Sequence, residues 1–144
     1  MMKIEKTDEP KKVVEFLSKA GGSLKSFRYF EKRPVGCISV HIVTLIGYED
    51  GEPVAYGHLD PENGKTWLGL CVRETSCGKG LGTRMMDALM MEAKNKGIDK
   101  IDLTVYEENA VARRMYEKYG FVLREKRGNV MFYQFGGPQN VCKE

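Results

Sequence analysis

Three glycines, Gly78, Gly80 and Gly82, recur at every second position just before a run of residues that favours a helix. Glycine has no Cβ, so a ligand can approach the main chain closely and meet bare amides. Amides in the first turn of a helix lie at the positive end of its dipole, where phosphate and other anions bind. Lys79 and Arg84 add positive charge beside these amides. The pattern therefore predicts a local site for a phosphate-bearing ligand.

Two nucleotide-binding patterns contain similar glycine-rich loops, and the sequence departs from both. A P-loop requires Gly-Lys-Ser/Thr at a fixed spacing, and this stretch has no such succession. The dinucleotide pattern G-x-G-x-x-G fits Gly78 and Gly80, and Asp102 follows at about the distance of a ribose-binding acid. Thr83, however, replaces the third glycine, and the preceding strand belongs to a predicted antiparallel meander. A dinucleotide site is therefore disfavoured.

A second group of candidate residues lies in residues 109–120, where the sequence reads NAVARRMYEKYG. Asn109 and Tyr116 are about two helical turns apart and so share one helix face. The small Ala112 lies between them and leaves room for an extended ligand chain. One helix face therefore carries an amide, a small residue and a phenol that could serve the same ligand.

The two motifs, in this order and separated by one helix and one strand, resemble the GNAT superfamily of acetyl-CoA-dependent N-acetyltransferases. The resemblance spans roughly residues 38–135, and the family's glycine signature Q/R-x-x-G-x-G/A falls on residues 77–82. Cys77 stands where the family usually has Gln or Arg. The resemblance implies an α+β fold with a mixed, largely antiparallel sheet of about six to seven strands flanked by about four helices. It also implies acetyl-CoA as co-substrate and an amine as acceptor. Composition favours a small-molecule amine, and the spacing of the cysteines and histidines favours no metal.

The family's pattern, carried over residue by residue, implies a cofactor site along the loop, the preceding strand and the second motif. The pyrophosphate would bind the amides of residues 78–83, and backbone groups of residues 70–72 would hold the pantetheine. Asn109 would contact the pantetheine arm, and Tyr116 would stand near the sulfur and protonate the departing thiolate as the catalytic acid. The implied cofactor-binding residues are Leu70, Cys71, Val72, Cys77, Gly78, Lys79, Gly80, Leu81, Gly82, Thr83, Asn109, Ala112 and Tyr116.

The motifs do not assign the group that accepts the proton of the amine. Many relatives carry a glutamate six residues before Val72, where this chain has Thr66, and threonine cannot act as a base. His58 on the neighbouring strand is a titratable side chain with a pKa near neutral pH. A water chain and an amine that arrives neutral are the alternatives.

The side of the sheet on which His58 lies depends on the register of one hairpin. If residues 61–64 form the whole loop, Asp60 pairs with Lys65 and His58 opposes Trp67. His58 then lies on the far face from the position of the missing glutamate. A loop longer by one residue reverses that orientation.

The acceptor is less clearly indicated than the cofactor. Tyr56, His58 and Trp67 form a predicted polar and aromatic wall on the substrate side, which suits an amino sugar or another small metabolite. Arg28 and Arg33 are interpreted as solvated charges on a helix face. Two alternatives stay open: a non-catalytic acyl-CoA-binding module that regulates a partner, and an acetyltransferase that acts on protein or peptide amines.

Hydrophobic periodicity and turn residues predict the elements that position these groups. A first helix is capped by Thr7 with Pro10 in its first turn, and Asn109 caps the helix of the second motif. The glycine loop leads into a helix whose apolar residues step by four along one face, namely Leu81, Met85, Leu89 and Ala93. The predicted segments are helices over residues 7–20, 23–33, 81–97 and 109–120, an antiparallel three-stranded meander over 38–72, strands over 99–105, 121–127 and 129–135, and a loose tail over 136–144.

Bulk composition limits the classes of protein to which the chain can belong. With 144 residues, 42% hydrophobic and 30% charged, the chain has the size and mix of one soluble domain over residues 1–144. A net charge of +3 from scattered basic residues argues against nucleic acid as a partner, and no apolar run is long enough to span a membrane. The four cysteines and two histidines lack metal-site spacing. The sequence therefore predicts a cytoplasmic protein, with monomer and homodimer both open.

Overall fold

The computed structural model describes residues 1–137, which form a seven-stranded sheet in the order β1-β2-β3-β4-β5-β7-β6. All neighbouring strands are antiparallel except β4 and β5, which are parallel. The predicted α+β fold with a mixed sheet is therefore confirmed. The strands are β1 (Lys3–Lys6), β2 (Val43–Glu49), β3 (Glu52–Glu62), β4 (Lys65–Val72), β5 (Ile101–Tyr106), β6 (Val122–Arg127) and β7 (Val130–Phe135).

Four α-helices of residues 1–137 and three short 3₁₀ turns cover this sheet. The helices are α1 (Pro10–Lys19), α2 (Tyr29–Lys32), α3 (Leu81–Asn95) and α4 (Ala110–Lys118), and the 3₁₀ turns are Gly21–Lys25, Val35–Val40 and Glu74–Ser76. Within the described range, no helix combines the length and apolar character needed to cross a membrane. Most of the predicted tail, residues 138–144 with Cys142, lies outside the described residues.

Helix α3 packs closely on one face of the sheet. The four residues predicted to face the core are buried. Gly57 on β3 allows the close approach, because an added Cβ would lie 2.9 Å from Leu89 and 3.0 Å from Met85. Helix α1 covers the other face, where Phe16 stacks on Tyr56 with ring centroids 6.0 Å apart. The sheet therefore has a core on each side.

The prediction of one continuous helix over residues 23–33 is wrong. The segment divides into the 3₁₀ turn Gly21–Lys25 and the single turn of α2. Phe27 packs on Tyr56 at 5.5 Å between ring centroids, and Tyr29 packs on His58 at 4.2 Å. Residues two positions apart on a helix point in nearly opposite directions, so a continuous helix could not place both rings on the sheet. Tertiary packing overrides the local preference for a helix.

Two features of the N-terminus also differ from the sequence prediction. Strand β1 pairs with β2 and was not predicted. Glu9, not Thr7, is the residue before the first turn of α1, and it makes no side-chain capping bond. Thr7 Oγ1 instead accepts a hydrogen bond from the amide of Glu9 at 3.0 Å. The threonine therefore stabilises the turn that leads into the helix.

Candidate active site

The loop before α3 has the open main chain that its glycines predict. Gly78 and Gly80 have φ angles of 82° and 79°, in the left-handed region that favours glycine. A Cβ built on either residue would meet no atom within 4 Å, so a ligand can reach the backbone. Gly80 is the N-cap of α3 and offers no side chain to its free amides. These amides can therefore bind an anion.

The glycine loop, the end of β4 and helix α4 meet at one point. A Cβ built on Gly82 would lie 3.5 Å from Met115 on α4 and 3.8 Å from Val72 on β4. The hydroxyl of Tyr119 donates its one proton to the carboxylate of Asp87 and lies 3.0 Å from the carbonyl oxygen of Thr83, so it ties the end of α4 to the first turns of α3. The two sequence motifs are therefore neighbours in space.

Three polar side chains predicted beside the loop have different surroundings. The thiol of Cys77 contacts the carbonyl oxygens of Val72 and Arg73 at 3.8 and 3.5 Å. It therefore lies against the chain that leads into the loop. Lys79 and Arg84 are exposed, and neither forms an ion pair with the other described residues. Both cations remain available to a ligand at the loop.

The sheet opens between β4 and β5. Within residues 1–137 the two strands share one registered pair, Trp67 with Asp102. β4 then continues to Val72 beside β3, and β5 continues to Tyr106 beside β7. Backbone groups on the facing edges of β4 and β5 thus lack a strand partner beyond that pair. The gap borders residues 70–72, the segment that the family resemblance predicts to hold the pantetheine.

Helix α4 begins at the mouth of this gap. Asn109 is its N-cap, and its Oδ1 accepts a hydrogen bond from the amide of Ala112 at 3.3 Å, as the capping prediction requires. The side-chain nitrogen of Asn109 has no partner among residues 1–137. Ala112 is half-buried against the core. The amide nitrogen of Asn109 is therefore free for a ligand in the gap.

Tyr116 lies deeper on the same helix, with 7% of its surface exposed. Its ring packs 6.0 Å from that of Phe121, and its hydroxyl has no hydrogen-bond partner within the described part of the chain. Burial, and secondly the neighbouring Cys71 thiol, raise the pKa of Tyr116 above its usual value. The phenol therefore keeps its proton at neutral pH and is a potential donor.

The β3–β4 hairpin has a shorter loop than either of the two loops that the sequence predicts. Asn63 and Gly64 form a two-residue loop, and both have positive φ angles, 54° and 75°. Asn-Gly is the preferred pair for such a tight turn, so Pro61 and Glu62 extend β3. Both predicted registers are therefore wrong. The pairs are Glu62 with Lys65, Asp60 with Trp67, and His58 with Gly69.

Although the strand pairing differs, His58 lies on the same face of the sheet as it would if residues 61–64 formed the loop. A shift of two residues preserves the alternation of side chains, so His58 lies on the opposite face from Thr66 and Leu68. Tyr56 and Trp67 share the face of His58. Tyr56 is fully buried, however, and only Trp67 of the three is partly exposed. The predicted wall is thus mostly an interior structure.

His58 is 1% exposed, and its surroundings differ from those of an ordinary histidine. Its Nδ1 shares a hydrogen bond with the hydroxyl of Tyr56 at 2.7 Å. The ring lies over Gly69, where a Cβ would come within 2.4 Å of Nε2. Burial, and secondly the neighbouring His41, lower the pKa of His58 well below its usual value. The expectation of a pKa near neutral pH is therefore wrong, and the imidazole is neutral at pH 7.

A buried polar cluster beside His58 was not predicted. Asp60 is 0% exposed, and its Oδ2 accepts hydrogen bonds from Arg33 Nη1 at 2.6 Å and from the Tyr29 hydroxyl at 2.8 Å. The other carboxylate oxygen, Oδ1, is buried and has no partner. Arg33 is thus the counter-charge of a buried acid, and its interpretation as a solvated helix-face charge is wrong.

The hydrogen bonds of this cluster have one consistent direction. Because the single proton of Tyr29 goes to Asp60, the 2.7 Å bond between Tyr29 and His41 Nε2 requires a hydrogen on Nε2. His41 Nδ1 must then accept from the hydroxyl of Thr44 at 2.9 Å. Burial lowers the pKa of His41 to about 4, so this ring is also neutral at pH 7. All donors therefore point toward the carboxylate.

A polar cleft lies at the end of β5, where α4 begins. It has a volume of about 570 Å³. Asn109 borders it and so connects the cleft to the predicted cofactor site. Of the residues that line the cleft, the two sequence motifs include only Asn109. The other residues come from the segment before α2, the end of β5 and the β6–β7 turn, and they are Lys25, Ser26, Arg28, Tyr106, Glu108 and Asn129.

Comparison with known families agrees with the motifs. The model of the acetyltransferase (GNAT) family matches residues 7–121. Over 87 residues the chain is 38% identical to the spermine/spermidine N(1)-acetyltransferase of Bacillus subtilis (strain 168). That alignment covers 59% of this chain and 53% of the relative. The chain thus spans about half the length of the curated relatives it matches.

Solved structures share the fold over nearly the whole chain. PaiA N-acetyltransferase from Thermoplasma acidophilum, in complex with coenzyme A, superposes with a TM-score of 0.75 at 19% identity, covering 95% of this chain and 99% of that one. A GNAT family acetyltransferase from Elizabethkingia anophelis with acetyl-CoA bound gives a TM-score of 0.70 at 14% identity, with 94% and 98% covered. At such identities the likeness shows the fold alone.

Proposed function

The chain belongs to the GNAT acetyltransferase family, and from that premise we propose that it transfers acetyl from acetyl-CoA to an amine of a small molecule. The meeting of the glycine loop, the end of β4 and α4 beside the open gap carries the proposal. Phosphates would bind the amides of residues 78–83, and the pantetheine would enter between β4 and β5. The thioester would then lie near Tyr116.

The proposed reaction is a direct transfer without a covalent enzyme intermediate. The neutral amine attacks the thioester carbonyl carbon, so a C–N bond forms and the C–S bond breaks. The nitrogen loses one proton, and the departing thiolate gains one. The products are an N-acetylated amine and CoA with a free thiol. The protein must therefore stabilise an oxyanion, protonate sulfur and receive an amine proton.

The described residues supply candidates for two of these tasks. A free backbone N–H of residues 70–72, on the open edge of β4, is the proposed oxyanion donor. The Tyr116 phenol, which keeps its proton, is the proposed donor to the thiolate. Because the pKa of His58 is lowered well below its usual value, the amine is proposed to deprotonate through water or to arrive neutral.

The acceptor is proposed only as a class, a small-molecule amine. The Bacillus subtilis relative is a spermine/spermidine N(1)-acetyltransferase, which makes polyamines one candidate. The neutral polar side chains of the cleft, Ser26, Asn109 and Asn129, can hydrogen-bond to hydroxyl groups and keep amino sugars as another. Proteins and peptides remain the third alternative.

A second candidate function is that of an acyl-CoA-binding module without turnover. Cys77 favours it, because the thiol contacts main-chain carbonyl oxygens and replaces the usual polar residue of the signature. Thr66 favours it too, because it replaces the carboxylate that many relatives carry. The free phenol of Tyr116 favours the enzyme, since a binding module needs no proton donor there.

The test measures CoA released from acetyl-CoA in the presence of amino sugars, polyamines, amino acids and peptides. CoA should be separated by chromatography, because the exposed thiol of Cys77 would interfere with thiol reagents. We expect one class to raise the release of CoA above the rate of thioester hydrolysis. Tight binding of acetyl-CoA with no release for any amine would support the module instead.

A further inference from the structure

The polar cleft at the end of β5 has an uneven distribution of charge. Lys25 and Arg28 enter it from the segment between α1 and α2, and Glu108 enters it from the turn between β5 and α4. The other lining residues carry no charge at neutral pH. The cleft therefore has two cations on one wall and a single carboxylate on another.

Intramolecular contacts do little to neutralise these charges. Lys25 and Glu108 form no ion pair among residues 1–137. Arg28 Nε donates to the carbonyl oxygen of Lys25 at 3.3 Å and lies 3.9 Å from the carboxylate of Glu31. Both side chains of that Arg–Glu pair are more than half exposed, so the pair is weak. The rest of the guanidinium is available to a ligand.

We propose, on the basis of the proposed acetyl transfer, that the acceptor amine also carries an anionic group, a phosphate or a carboxylate. Arg28 and Lys25 bind this anion, since a guanidinium matches both anions with paired hydrogen bonds. Glu108 faces the amine end of the acceptor, where an ammonium arrives before it loses its proton. Asn109 borders the cleft and is also a predicted contact of the pantetheine, so an acceptor held in the cleft would approach the thioester.

The same charges argue against a polyamine as the preferred acceptor. A polyamine carries positive charge at every nitrogen, and two cations on one wall repel it. One carboxylate could hold one of its ammonium groups but leaves the others unpaired. An amine with an anionic group, by contrast, has a partner for each of its charges. The cleft thus selects for a ligand with both signs of charge.

The test compares acceptors that are matched except at the anion, with CoA release as the readout. Values of kcat/KM are calculated per neutral amine, because the anion also changes the pKa of the amine. Glucosamine 6-phosphate is compared with glucosamine to test for recognition of a phosphate. Glycine is compared with glycinamide to test for recognition of a carboxylate, and spermidine is included as a polycation. We expect kcat/KM to be at least about tenfold higher for one anionic member than for its neutral match. The preference should shrink with added salt. Equal use of both members of each pair, or preference for spermidine, would overturn the proposal while leaving acetyl transfer intact.

A variant pair assigns the effect to the cleft. Arg28→Gln should lower kcat/KM about tenfold or more for the anionic acceptor and leave that for its neutral match unchanged. Lys32→Gln is the control, because it removes one exposed cation from α2 outside the cleft. Equal losses for both acceptors, or weaker binding of acetyl-CoA by Arg28→Gln, would refute the assignment. If no amine of either kind releases CoA, the proposed function fails, and the acceptor proposal fails with it.

Discussion

The two faces of the central sheet bury different chemistry. The face under α3 is apolar, and its cluster includes Leu59, Leu68 and Met85. The face under α1 and α2 buries Thr44 and Asp60 in addition to aromatic residues, and it joins them by hydrogen bonds. One face is stabilised by apolar packing that any well-fitting side chains could supply. The other depends on specific partners.

The contrast extends to the two parts of the site. The cofactor side, at the start of α3, is open main chain with amides and cations that have no partner among residues 1–137. The cluster of Asp60, Arg33, Tyr29 and His41 is closed, with all donors directed at one carboxylate. A buried charge without its partner is strongly destabilising. We therefore expect substitutions in the loop to change binding and those in the cluster to change stability.

The largest effect should come from closing the loop. Gly80→Asp places bulk and negative charge where the phosphates bind, so we expect affinity for acetyl-CoA to fall at least about 100-fold, as measured by calorimetry. Gly51→Asp is the matched control, because Gly51 has the same φ of 79° and equally open surroundings. It carries the same backbone strain and should bind acetyl-CoA normally. If a folded Gly80→Asp protein bound acetyl-CoA with unchanged affinity, the loop would not be the phosphate-binding site, and its contrast with the closed cluster would be refuted.

A second effect, on rate and not on affinity, is expected at Tyr116, where the cofactor side becomes buried. Tyr116→Phe keeps the ring that packs on Phe121 and removes only the unpartnered hydroxyl. Loss of the proton donor should lower the single-turnover rate by roughly ten- to a thousand-fold, with little change in KM for acetyl-CoA. Tyr48→Phe, on β2, is the control and should leave the rate unchanged. A wild-type rate for Tyr116→Phe would reduce this residue to a packing role.

The apolar face was predictable from the sequence because its signal is local. Leu81 and Met85 step along one helix face, and the strand alternation places Leu68 toward them. The glycine motif and the Asn109 cap are also local, so their structure followed from their spacing. These elements account for the confirmed fold.

The polar face could not be predicted because its partners are distant in sequence. Tyr29 and Asp60 are hydrogen-bonded, yet they come from α2 and β3. Phe27 and Tyr29 break the predicted helix because both rings pack on the sheet. The strand pairing of His58 depended on the length of the β3–β4 turn. That turn is the two-residue Asn63–Gly64 pair and not the four residues 61–64. The signal that could have located the cluster is Asp60 itself, an acid within a buried strand.

The smallest effect concerns pH, and it tests whether the polar face is as closed as its contacts indicate. Both histidines of the chain, His41 and His58, belong to this face. Burial lowers the pKa of His41 to about 4 and that of His58 well below its usual value. An unfolded histidine has a pKa of about 6.5, so below that pH the unfolded chain binds protons that the folded chain does not. The free energy of unfolding should therefore fall as the pH decreases from about 6.5 toward 4.

His58→Gln isolates the contribution of one ring. Urea unfolding at several pH values should show a fall that is shallower than in the wild type by up to about 1.4 kcal/mol per pH unit, even if the variant is less stable at every pH. The slope, and not the absolute stability, is the readout. Any rise of kcat/KM between about pH 6 and 8 belongs to the acceptor amine and should survive this substitution, because a buried neutral imidazole does not titrate there. The opposite result would be an unchanged pH dependence of the free energy of unfolding together with loss of the rise in kcat/KM. His58 would then be an accessible base, and the polar face of the sheet would be open to solvent.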